Sequence, residues 1–75
     1  MASETGTEIV AEMVANVVSI IARPGHHLEP GDTIVILESM KMEIPVLTDV
    51  GGVVQQVRVD EGDVVQEGDV LAVIG

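Results

Sequence analysis

Seventy-five residues make a single domain, with no cysteine for a disulfide or thiolate metal site and no aromatic residue to enlarge the core. Thirteen acids against Arg23, Lys41 and Arg58 give a formal net charge of −10, a surface that repels phosphate backbones and anionic lipid and so argues against nucleic-acid and membrane partners. The 47% apolar content, mostly Val, Ile and Leu, suffices for one thin core but not for a cavity that would enclose a substrate, which argues against a self-contained enzyme.

Residues 1–7 are small and polar and are expected to form a loose tail ahead of a domain spanning 8–75. Residues 8–12 are expected to add an edge strand. Ile9, Val10, Met13, Val14, Val17 and Ile21 also fit helical spacing. The density of β-branched residues and the lack of caps favour strand over helix in this stretch. A β-branched run at about 16–22 is followed by a Pro24-Gly25 turn, a short His27-Leu28 step, a Pro30-Gly31-Asp32 turn and a second apolar run at 33–38. A further strand is expected at 43–48.

The same order then recurs. Strand-like 53–59 leads to Glu61-Gly62-Asp63, Val64-Val65, Glu67-Gly68-Asp69 and a final run at 70–74. Sliding the chain by 37 positions, the separation of Gly25 from Gly62 and of Gly31 from Gly68, superposes 11–37 on 48–74 and brings the glycines and aliphatic runs into one register. Short strands with turn signals every few residues read as an all-β sandwich or barrel. If the two copies pack about a pseudo-twofold axis, the connector at 38–47 lies at one pole and the chain ends near the other.

That connector begins Glu38-Ser39-Met40-Lys41-Met42-Glu43 and must reverse direction as a tight hairpin. It holds none of the Gly, Asn, Asp or Pro residues that make such turns easy, and it offers two methionines to solvent. A departure from local rules with no structural gain marks a candidate functional site. Lys41 is the one lysine in the chain, so any chemistry on a side-chain primary amine has a single address. A hydrated ammonium is a poor nucleophile until a base takes its proton. A protruding one is nonetheless well placed for an enzyme that supplies both an activated acyl group and that base.

The motif resembles the attachment site of the biotinyl domain family, in which a lysine stands between two methionines. The likeness runs from about residue 8 to Gly75 and includes the Gly-Asp turns at 31–32 and 68–69 and Gly52 ahead of Val54. It implies an all-β fold: a flattened barrel of two four-stranded antiparallel sheets with quasi-twofold symmetry, related to the lipoyl and single hybrid motif folds. It also implies that Lys41 carries covalent biotin, with Met40, Met42 and Glu38 as motif flanks. A biotin protein ligase would attach the cofactor, giving a tether of about 12–14 Å from the Lys41 Cα by summed bond projections. A biotin carboxylase and a carboxyltransferase would then exchange a carboxyl group through it. The expected role is a non-catalytic carboxyl carrier acting in the cytoplasm.

Glu12, Ala15 and Asp49 depart from the family, which often has Pro or Gly there, and the extra protruding loop of some acetyl-CoA carboxylase carriers is missing. Lipoyl sites resemble this one, but typically place an acid directly before the lysine and a small residue after it. An unmodified scaffold of the same fold is the remaining alternative. No catalytic constellation emerges. His26 and His27, adjacent in an extended segment, point to opposite faces and read as a turn pair rather than a metal site. The acids at 61–69 lack EF-hand spacing.

Overall fold

The computed structural model describes residues 6–75, and among these every regular element is a strand. The strands run β1 (Thr7–Val10), β2 (Ala15–Ile20), β3 (His27–Leu28), β4 (Thr33–Ser39), β5 (Met42–Leu47), β6 (Gly52–Val57), β7 (Val64–Val65) and β8 (Val70–Ile74). They form two four-stranded antiparallel sheets, ordered β1-β8-β6-β3 and β5-β4-β2-β7. The alternation of side chains across each strand puts one face of each sheet against the other.

The repeat seen in the sequence is a repeat in pairing. Val17 faces Leu37 across β2 and β4, and its equivalent Val54 faces Ile74 across β6 and β8. Val35 faces Val46 across β4 and β5, as Ala72 faces Ile9 across β8 and β1. Hydrogen bonds follow suit: the Gly31 N–H donates to the Thr48 carbonyl at 2.8 Å, and the Gly68 N–H to the Ala11 carbonyl at 2.9 Å. The core draws equivalent residues from both halves, with Ile34 and Leu71, Val35 and Ala72, Leu37 and Ile74 all buried. Each half alone would leave its apolar face open to water, so the halves stabilise each other.

Four turn glycines, Gly25, Gly31, Gly62 and Gly68, hold φ between 92° and 95°. An acceptor closes each of these turns onto the backbone. The carboxylates of Asp32, Asp63 and Asp69 accept from the N–H of Glu29, Asp60 and Gln66 at 2.8–2.9 Å. In the fourth turn the Nδ1 of His26 accepts from the Arg23 N–H at 3.2 Å. His26 is therefore a turn-closing group in the place of an aspartate, while His27 opens β3. Among the described residues no group of three potential ligands surrounds a metal position.

Strand ends differ from the sequence-based limits by one or two residues. The edge strand expected at 8–12 stops at Val10, because Ala11 turns inward, is buried, and exchanges hydrogen bonds with the Gly68–Asp69 turn. The strand expected to reach residue 22 ends at Ile20, since the N–H groups of Ile21 and Ala22 both donate to the Ile34 carbonyl. Of the segment 1–7 read as a tail, residues 1–5 lie outside the described residues, and Thr7 pairs with Ile74.

Candidate functional site

Strands β4 and β5 pair from Thr33–Leu47 to Ser39–Met42, leaving Met40 and Lys41 as a two-residue loop. Both adopt positive φ, 54° at Met40 and 66° at Lys41. Positive φ at both central residues is the pattern of a type I′ turn, whose twist matches that of the strands it joins. Asn and Gly are the usual occupants. Side chains with a Cβ pay about 1–2 kcal/mol each to sit in this region, so the tip is strained where the long β4–β5 ladder forces it.

The strain has a geometric result. Lys41 is exposed, and its neighbours Met40 and Met42 are 91% and 62% exposed. Neither methionine packs into the core. Behind the tip the anchor is firm: Leu37 is buried, and Ile44 faces it across the ladder. Glu38 and Glu43 are exposed and directly opposed, one rung below the tip. Glu38, Met40, Lys41 and Met42 are thus brought to one end of the β4–β5 hairpin, all exposed. Pro45 lies within the edge strand β5, where a missing N–H is tolerated and where it discourages another strand from adding.

At the other pole the equivalent of the Leu37–Ile44 rung is the Thr7–Ile74 rung. Beyond the first the chain loops through Met40 and Lys41; beyond the second lies the C-terminal Gly75. The lysine hairpin is what joins the two halves of the repeat.

A shallow depression of about 320 Å³ lies beside the tip, lined by Lys41 together with residues of β2, β4, β7 and the segment before β2. Val14, Asn16 and Val64 belong to it. The motif did not mark these three, because they lie far from it in sequence and Val64 joins Val14 and Asn16 only when β7 pairs with β2.

The arrangement can accept an acyl group. It offers one side-chain primary amine, exposed on a fixed support, with no second lysine to compete.

A family model described as biotin-requiring enzyme matches residues 3–74. The chain is 51% identical over 67 residues to the biotinylated protein TB7.3 homolog of Mycobacterium leprae, covering 89% of this chain and 94% of that one. It is 47% identical over 60 residues to the biotin/lipoyl attachment protein of Bacillus subtilis, covering 80% and 82% respectively. The structure superposes on the urea carboxylase of Kluyveromyces lactis with a TM-score of 0.91 and 31% identity, covering all of this chain and 7% of that protein.

Proposed function

The chain belongs to the biotin/lipoyl attachment family, and from that premise we propose that it is a carboxyl carrier holding biotin as an amide on Lys41 Nζ. The carrying observation is the single lysine of the chain, exposed at a strained two-residue turn between two exposed methionines. In the attachment step the biotin carboxyl arrives activated on a ligase, the Nζ lone pair attacks its carbon, and the activating group leaves. The Nζ proton passes to a base of the ligase. Amide formation removes the charge of Lys41, taking the formal net charge from −10 to one unit more negative.

Bound biotin supplies a ureido nitrogen that accepts a carboxyl group from a biotin carboxylase and yields it to a carboxyltransferase. The protein's own contribution is positional. The β4–β5 ladder holds the tip, and the tether keeps the carried group at an effective concentration on the order of mM near both partner sites. Met40 and Met42 present flexible apolar contacts on either side of the amine, and Glu38 adds a carboxylate one rung behind. Relatedness to a domain of a urea carboxylase supports carboxylase partners. The methionines on both sides of Lys41 favour biotin over lipoate.

Co-expression with a biotin protein ligase should add one biotinyl group, seen by intact mass, and Lys41→Ala should abolish it. A lipoyl increment, or biotin persisting in the alanine variant, would overturn the proposal.

A further inference from the structure

The depression beside the tip combines features that the fold itself does not require. Val14 is 62% exposed and Val64 65% exposed, so two isopropyl groups face water beside the lysine. The repeat provides an internal control. At the far pole the positions equivalent to Val14 and Val64 are Gly51 and His27, and the equivalent of Asn16 is Val53. The same pairing forms there, with His27 opposite Val53 as Val64 is opposite Asn16. Two aliphatic side chains around one amide therefore belong to the lysine pole alone.

We propose that this depression is a docking shelf for the ring system of biotin attached to Lys41. The inference rests on Lys41 being the attachment point. Asn16 lies between Val64 and Glu38 in the pairing register, so the three form one row across the sheet. The thioether ring and hydrocarbon chain of biotin match Val14, Val64 and the Met40 side chain. The ureido group offers one carbonyl acceptor and two N–H donors. An amide such as Asn16 meets both kinds, and the Glu38 carboxylate accepts a second N–H. A tether of about 12–14 Å folds back easily, since Lys41 lines the same depression. Contact too weak to retain free biotin is populated when the ligand is tethered. The loaded carrier then has a parked and an extended state, and a partner's site competes with the shelf for the ring.

The unique lysine permits a test that needs no ligase. N-hydroxysuccinimidyl biotin acylates Lys41 Nζ, releasing N-hydroxysuccinimide and a proton to the buffer. The N-terminal amine reacts as well, and Lys41→Arg protein treated identically isolates that contribution. With methyl-labelled protein, docking gives NOE cross-peaks from biotin ring protons to the Val14 and Val64 methyls, and a shift of the Asn16 side-chain amide. Both are missing from unmodified and Lys41→Arg protein. A Val14→Ser/Val64→Thr variant loses at least half of the Asn16 shift, while the Ile34 and Leu71 methyls stay in place. Shifts confined to residues 40–42 in the biotinylated protein overturn the shelf, and do so equally if the surface serves a protein partner. Intact mass after ligase co-expression judges the attachment reading separately, so the two failures are distinguishable.

Discussion

Glu38 and Glu43 stand directly opposite each other across the β4–β5 ladder, on the rung below the Ser39–Met42 pair that closes the turn. Both side chains are exposed, so water and salt weaken their repulsion without cancelling it. Like charges at this position work against the strand pairing that the strained tip depends on.

Replacing Glu43 by Gln should therefore raise stability by about 0.2–1 kcal/mol, the range for cross-strand pairs. Urea unfolding at low salt reads the gain as a higher midpoint, and adding salt should shrink it. An unchanged midpoint at low salt would show that the two carboxylates do not oppose each other.

The turn itself is built against stability. Asn and Gly adopt positive φ at little cost, so a Met40→Asn/Lys41→Gly protein should gain about 2–4 kcal/mol over the parent. The same protein should accept no biotin. A lower urea midpoint for this variant would mean that the two left-handed residues are not a source of strain.

Ile34 and Leu71 occupy equivalent sites in the two halves and both are completely buried. Truncation to Ala at either should cost about 2–5 kcal/mol. The two losses should be alike, because each cavity opens into the same two-sided core. In a protein with no disulfide, either change should bring the chain close to unfolding, which thermal melts would record. A pair of losses differing by several kcal/mol would contradict the symmetry of the core.

His26 closes the one glycine turn of the four that has no aspartate acceptor. His26→Ala should cost about 0.5–1.5 kcal/mol through loss of the Arg23 N–H partner, whereas His26→Asp should hold or improve stability by restoring the acceptor used elsewhere. Equal losses in both variants would assign His26 some role besides closing the turn.

Much of this molecule is legible in its sequence. The spacing of Gly25 and Gly31 against Gly62 and Gly68 carried the repeat. The short strands and turns carried an all-β sandwich or barrel, and the resemblance to the biotinyl domain family implied its two four-stranded sheets. Lys41 stood out through being alone and through its place in the connector. The limits of β1 and β2 were less legible, since Ala11 leaves its strand to bond the Gly68–Asp69 turn of the other half, and Ile21 and Ala22 leave theirs to share the Ile34 carbonyl of their own half.

Local pattern alone thus determined where strands and turns fall, how the halves correspond and where the lysine lies, since glycine spacing and aliphatic runs are properties of neighbours along the chain. Tertiary structure decided the rest. Met40 and Lys41 take left-handed backbone angles against their own preference, because the ladder beneath them imposes its twist. Val14, Asn16 and Val64 meet beside Lys41 through long-range strand pairing, a relationship that sequence neighbours do not encode.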